Sequence, residues 1–88
     1  MEVFAFQLCD RHGRNRLIDR ITVDFNDGVE WVKKMYSWCT EWRFAKNPDG
    51  NYDMTDVIDK EAERFFYMIG LSERRSDVHI LVEKRNLH

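Results

Sequence analysis

The first 25 residues alternate between apolar and other side chains with a period of two, and this alternation constrains the fold more than any other feature. Residues 2–9 (EVFAFQLC) and 16–25 (RLIDRITVDF) each show the pattern, which is typical of strands. The intervening DRHGRN contains a glycine and predicts a turn. We therefore predict a β-hairpin, with Ile21, Val23 and Phe25 of the second strand pointing inward.

A strongly amphipathic stretch follows the hairpin and predicts a helix over about residues 27–44. Asn26 or Asp27 can cap its start by accepting hydrogen bonds from free backbone N–H groups of the first turn. The apolar side of this predicted helix carries all the tryptophans of the chain, Trp31, Trp38 and Trp42.

The second half of the chain predicts one more helix and one more strand. Residues 46–51 (KNPDGN) predict a turn, although they could instead join a small hairpin between RFA and NYDM. A helix is predicted over about residues 55–69, with Gly70 ending it in the left-handed conformation. Residues 77–84 (DVHILVEK) alternate again and predict a third strand.

The order β-β-α-α-β predicts an α+β fold, in which a three-stranded sheet carries two antiparallel helices packed on one face. The third strand would run parallel to the first and antiparallel to the second. It would lie beside either of them. The chain has 88 residues, one proline and no linker-like segment, so residues 1–88 are expected to form a single compact domain.

The sequence lacks the common motifs of catalytic and cofactor-binding sites, such as the phosphate-binding loop, the dinucleotide-binding loop and the zinc-protease helix. Asp49, Asn51 and Asp53 are spaced like the first ligands of a calcium loop. However, Met54 and Lys60 stand where that loop requires glycine and glutamate. A polar turn with a helix cap explains these residues better. We therefore expect no metal, no cofactor and no catalytic activity.

Charge and composition limit the partners and the location. The net charge of −2 gives a weak overall field, which disfavours general binding to nucleic acid or to membranes. The chain has no apolar run long enough to span a bilayer, and its first residues lack the features of a signal peptide. Cys9 and Cys39 form no disulfide framework, so we expect free thiols in a reducing cytoplasmic compartment.

The turn of the predicted hairpin is the first candidate surface, because it holds Arg11, Arg14 and Arg16. Arginine binds phosphate and carboxylate groups through two parallel hydrogen bonds. A third strand parallel to the first would bring Lys84 and Arg85 to the same end of the sheet. The cluster could contact nucleic-acid phosphates or an acidic protein surface, or it could be an ordinary solvated turn.

The tryptophan edge of the first predicted helix is the second candidate surface. Aromatic residues at helical spacing commonly pack in the core, which would explain Trp31, Trp38 and Trp42 without any partner. If the edge instead extends beyond the core, it would form a contact surface together with Met68 of the second predicted helix.

These features favour a small non-catalytic protein-binding domain, an adaptor or inhibitor that occupies a surface of a larger protein or enzyme. An inhibitor encoded by a phage or another mobile element would fit this description. The alternative is a nucleic-acid-binding module that uses the arginine-rich hairpin tip. A homodimer that buries its own tryptophan edge is also consistent with the sequence.

Overall fold

Five strands form one antiparallel sheet in the computed structural model, which describes residues 1–46 and 64–87. The elements in chain order are β1 (Glu2–Cys9), β2 (Leu17–Thr22), α1 (Phe25–Met35), β3 (Glu41–Ala45), β4 (Phe65–Leu71) and β5 (Val78–Asn86). The strand order is β2-β1-β5-β4-β3, and all neighbouring strands are antiparallel. The predicted α+β fold of three strands and two packed helices is therefore wrong. The described residues are mostly β-structure, with one helix.

The predicted hairpin of β1 and β2 is confirmed, because the two strands pair in antiparallel register. The predicted direction of the side chains of the second strand is wrong. Ile21 and Val23 are exposed, since β2 lies at the edge of the sheet. Phe25 does reach the core, but it does so from the first turn of α1.

A β-bulge in the hairpin explains part of this difference. Phe6 pairs with Arg20 and the next residue of β1, Gln7, pairs with Ile18, so that Asp19 is an extra residue on β2. A bulge shifts the alternation of side chains along a strand. As a result, two consecutive residues of β2 both contact α1 or the connection that follows it. Asp19 accepts a hydrogen bond from Tyr36, and the guanidinium of Arg20 lies over the ring of Trp31.

Helix α1 is shorter than predicted and has a different cap. The side chain of Asp24, not of Asn26 or Asp27, caps the start by accepting from the N–H of Asn26. The helix ends at Met35, whereas the apolar pattern continues to Phe44. Residues 41–45 instead form β3, because they pair with β4.

Gly70 shows why β3 and β4 fit together. It lies opposite Trp42 in the register, and the Trp42 ring crosses the space where a side chain would stand. A Cβ atom at Gly70 would lie 2.8 Å from Cη2 of Trp42 and from Sγ of Cys39. The prediction that Gly70 ends a helix over residues 55–69 is wrong, because Phe65–Leu71 is a strand.

The remaining predictions about residues 47–63 lie outside the described residues. They concern most of the turn at 46–51, the small hairpin that would replace it, the resemblance to a calcium loop, and the first part of the second predicted helix.

The third predicted strand exists as β5, but its direction was predicted wrongly. It lies beside β1 and runs antiparallel to it, from Glu2 opposite Asn86 to Cys9 opposite His79. Met1 and Leu87 extend this pairing. The amino group of Met1 donates to the Leu87 carbonyl over 3.0 Å, and the N–H of Leu87 donates to the Met1 carbonyl over 2.8 Å.

The main core lies between the sheet and α1. Phe25 is partly buried and packs against this core from α1, with ring centroids 5.4 Å from Phe4, 5.8 Å from Phe66 and 6.1 Å from Phe6. A second buried cluster occupies the other face of the sheet, and it consists of Cys9, Ala45, Tyr67, Ile69 and Leu81. Residues on both faces are buried, which explains the continuous apolar run FFYMIGL of β4 and the shorter run ILV at residues 80–82 of β5.

Candidate functional site

Three connections meet at one end of the sheet: residues 10–16 between β1 and β2, 36–40 between α1 and β3, and 72–77 between β4 and β5. The antiparallel register brings them together, since Cys9 lies opposite His79 and Glu41 lies opposite Leu71. We call this end of the molecule the arginine end, for the five arginines that its turns carry: Arg11, Arg14, Arg16, Arg74 and Arg75.

The turn at residues 10–16 is organised by the carboxylate of Asp10. It accepts hydrogen bonds from the N–H of His12 over 2.8 Å, from the N–H of Arg14 over 2.9 Å and from the side-chain amide of Asn15 over 2.9 Å. The bond from Arg14 is the main reason that the pKa of Asp10 lies below its usual value. Asp10 is therefore engaged with its own turn, and the arginines around it extend into solvent.

The left-handed residues of this turn are Gly13, with a φ of 75°, and Asn15, with a φ of 56°. Glycine and asparagine are the residues that tolerate this conformation best. The DRHGRN sequence thus forms the tight turn that its composition predicted.

The arginines at this end have no carboxylate partner among the described residues. Arg11 donates through Nε to His12 over 3.3 Å, and Arg16 donates through Nε to the Gly13 carbonyl over 2.9 Å. By contrast, Arg43 and Arg85 on the strands pair with Glu41 and Glu83, at 3.0 Å and 2.6 Å. These two strand arginines are paired with neighbouring carboxylates, whereas the five at the arginine end are not paired with any carboxylate of the described residues.

Lys84 and Arg85 were predicted to join this cluster, and the structure places them elsewhere. Lys84 pairs with Phe4 and Arg85 pairs with Val3, at the end of β1 that is far from the turn. The reason is the antiparallel direction of β5. In their place, the same direction brings Arg74 and Arg75 beside the hairpin turn, and these two arginines were missed.

A shallow groove of about 540 Å³ separates the two arginine-bearing turns. Arg11 of the first turn and Arg75 of the second line it, and so do the carboxylates of Asp10 and Asp77. Cys9 and His79 are also among its lining residues. Burial lowers the pKa of His79, and burial followed by the neighbouring charge of Asp10 raises the pKa of Cys9 to about 11. A catalytic thiolate needs a lowered pKa, so this pair does not resemble an activated cysteine–histidine site.

The three tryptophans lie on three different elements and not on one helix edge. Trp31 is in α1, Trp38 is in the connection after it, and Trp42 is in β3. Trp42 is partly buried against the main core, and Met68 is fully buried within it. Met68 therefore has no exposed surface that a partner could contact. Trp38 is the most exposed of the three tryptophans, with 39% of its surface accessible.

Trp31 and Trp38 each belong to a set of contacts with an arginine, and the two sets adjoin at the neighbouring residues Asp19 and Arg20 of β2. The guanidinium of Arg20 lies 5.6 Å from the Trp31 ring centre, and that of Arg75 lies 4.7 Å from the Trp38 ring centre. Between them, the hydroxyl of Tyr36 donates to Asp19 over 2.5 Å. The rings of Tyr36 and Trp38 meet edge to face at 5.4 Å. We call this set the tryptophan–arginine surface: Asp19, Arg20, Trp31, Tyr36, Trp38 and Arg75.

Tyr36, Arg20 and Arg75 were not among the predicted site residues. Tyr36 was assigned to the apolar side of the predicted helix. In the structure its ring contacts Trp38 and Trp42, and its hydroxyl bonds to Asp19. Burial and this hydrogen bond raise the pKa of Tyr36. The composition of SERRSD is typical of an exposed turn, so the sequence could show that Arg75 is exposed. Its position beside the hairpin turn depends on the direction of β5, which was predicted wrongly.

No family model, curated protein or solved structure matches the chain. Within residues 1–46 and 64–87, no group of three or more His, Cys, Asp or Glu side chains could hold a metal ion. The helix in this part of the chain is too short and too polar to cross a membrane.

Proposed function

We propose that the protein is a small non-catalytic binding domain, an adaptor or inhibitor whose tryptophan–arginine surface occupies part of a larger protein. The observation that carries this proposal is the set of contacts that Trp31 and Trp38 make with Arg20, Tyr36 and Arg75. Tryptophan, tyrosine and arginine are the residue types that dominate binding hot spots, and here they lie together on one surface.

The geometry supports a contact role more than a purely structural role for Trp38. Its ring lies in a connection, not in the core, and it lines a second groove of about 460 Å³ with Thr40, Ser72 and Arg74. Contacts with Tyr36 and Arg75 hold the ring in place before any partner binds. Such preorganisation lowers the entropic cost of association.

We also infer that the protein acts in a reducing compartment such as the cytoplasm. Cys9 and Cys39 form no disulfide. The pKa of each thiol is raised, mainly by burial.

The test is affinity capture from a nuclease-treated lysate of the source or host cell, with wild-type, Trp38→Ala and Phe65→Ala proteins as baits. Phe65 is the matched control, because it is an exposed aromatic residue at 52% accessibility and lies outside the tryptophan–arginine surface. We expect one defined protein to be retained by wild type and by Phe65→Ala. The Trp38→Ala variant should lose it, with affinity reduced by about 30-fold or more if Trp38 is a hot spot.

Equal retention by all three baits, with circular dichroism showing that each is folded, would exclude this surface. If only untreated lysate gave a bound component, and that component were nucleic acid lost with Arg14→Glu, the nucleic-acid alternative would replace the proposal.

A further inference from the structure

We infer that the partner presents an acidic protein surface, whose carboxylates bind at the arginine end. This inference rests on the proposed function and specifies the chemistry of the partner. Two turns at that end carry five arginines, and none of the five has a carboxylate partner among the described residues.

The acidic residues at this end offset only part of the arginine charge, because Asp10, Glu73 and Asp77 supply three negative charges against five positive ones. Asp10 keeps its charge while it accepts three hydrogen bonds within its own turn. The other carboxylates at this end, Glu73 and Asp77, make no ion pair with an arginine. The five arginines therefore leave an excess of positive charge in a chain whose net charge is −2. A partner surface rich in Asp and Glu has the complementary charge.

The backbone positions of the arginines are set in advance. Asp10 holds the first turn, as described above. In the second turn, the hydroxyl of Ser72 accepts from the N–H of Arg74 over 3.4 Å and from that of Arg75 over 3.1 Å. Arg11 and Arg75 line the same groove, but so do Asp10 and Asp77. These two carboxylates would repel another carboxylate inside the groove, so we expect the partner to bind the exposed guanidinium groups around it.

One observation favours protein carboxylates over nucleic acid. Proteins that bind single strands stack bases on open aromatic faces. Here Arg75 already lies over the Trp38 ring, and Tyr36 contacts the same ring edge to face.

The experiment measures binding of a fluorescein-labelled deca-glutamate peptide by fluorescence anisotropy, at low and at physiological salt. The double variant Arg11→Gln/Arg74→Gln removes two charges from the arginine end. The double variant Arg43→Gln/Arg85→Gln removes two charges from the strands and serves as the matched control. A labelled decameric oligothymidine is the second probe.

We expect wild type to bind deca-glutamate, with affinity that falls as salt rises. The arginine-end variant should bind roughly fivefold more weakly, and the strand variant should change by less than about twofold. Oligothymidine should bind more weakly than deca-glutamate.

Three outcomes would overturn the inference: no binding of deca-glutamate by wild type, equal weakening in both double variants, or tighter binding of oligothymidine that depends on the arginine end. The proposed function can fail separately. If capture of a protein depends on Trp38 but not on the arginine-end charges, the proposed function is supported and the inference of an acidic partner is wrong. If deca-glutamate binds as expected but Trp38→Ala still captures the same protein, the arginine end binds carboxylates and the proposed role of the tryptophan–arginine surface is wrong.

Discussion

Gly28 lies in the first turn of α1, where the helix backbone packs directly on the ring of Phe6. A Cβ atom built at this position would overlap Cε1 and Cζ of that ring. Phe6 is fully buried, so its ring has no free space into which it could move. The absence of a side chain at Gly28 is therefore what lets α1 approach the sheet.

We predict that Gly28→Ala lowers the free energy of unfolding by up to about 2 kcal/mol. Alanine improves helix propensity by about 1 kcal/mol, but overpacking of a buried ring costs about 1–3 kcal/mol and should dominate. Urea unfolding followed by circular dichroism measures the difference. Glu30→Ala, at an exposed site of the same helix, is the control and should have little effect. A more stable Gly28→Ala protein would show that the helix does not pack closely on Phe6.

The elements differ in how well their sequences predicted them. The β1–β2 hairpin was predictable because strict alternation surrounds a turn with a glycine. Residues 65–71 were not, since FFYMIGL is a short apolar run that fits a buried strand or a helix equally well. The end of α1 was missed because Trp38 and Trp42 continue its spacing while packing from a connection and a strand.

The candidate site was predictable only where it depends on local sequence. The arginines of the hairpin turn were identified because they lie within six residues, Arg11 to Arg16. Arg75 joins them through the pairing of β1 with β5, which links residues about 70 positions apart, as in the Cys9–His79 pair. No periodicity specifies such a contact, and an error in strand direction moved Lys84 and Arg85 into the predicted site instead.

The edge strand β2 is the element most at risk of unwanted pairing. Leu17, Ile18 and Ile21 are exposed on it, and an open edge can pair with another strand. Antiparallel self-pairing centred on Asp19 or on Arg20 would place two like charges opposite each other, which is unfavourable. These charges and the bulge disfavour a dimer through β2.

We predict that Arg20→Val promotes self-association, because it removes a charge that protects the edge. Sedimentation velocity over a range of concentrations should show wild type at the chain mass of 10.7 kDa and larger species for the variant. Arg85→Val, the same change in the central strand β5, should stay monomeric. If Arg20→Val sediments as wild type does at every concentration, the charge of Arg20 does not protect the edge.

At the scale of the whole molecule, the sheet buries ionisable groups on the face away from α1. Cys9 and Tyr67 belong to the same buried cluster, and burial is the main cause that raises the pKa of each. For Cys9 the pKa rises from 9.0 to about 11. The folded protein therefore favours the neutral thiol more strongly than the unfolded chain does.

This preference predicts a loss of stability in alkali. The contribution of Cys9 is fully present below pH 9, the unfolded pKa, and is lost as the pH rises to about 11, the folded pKa. Allowing for partial solvent screening, the loss should be about 1 kcal/mol. Urea unfolding at pH 9 and at pH 11 measures it, with Cys9→Ala as the comparison. The variant should lose less stability between the two pH values. An identical loss in both proteins would mean that Cys9 does not contribute.

The pairing of Met1 with Leu87 also determines how the molecule would respond to mechanical force. The two residues lie side by side at one end of the neighbouring strands β1 and β5. A pull on these two residues would load the hydrogen bonds between β1 and β5 one pair after another, because the strands are antiparallel neighbours. Under such a force the sheet would separate between β1 and β5, one hydrogen-bonded pair at a time. One part would keep β2 and β1, and the other would keep β5, β4 and β3.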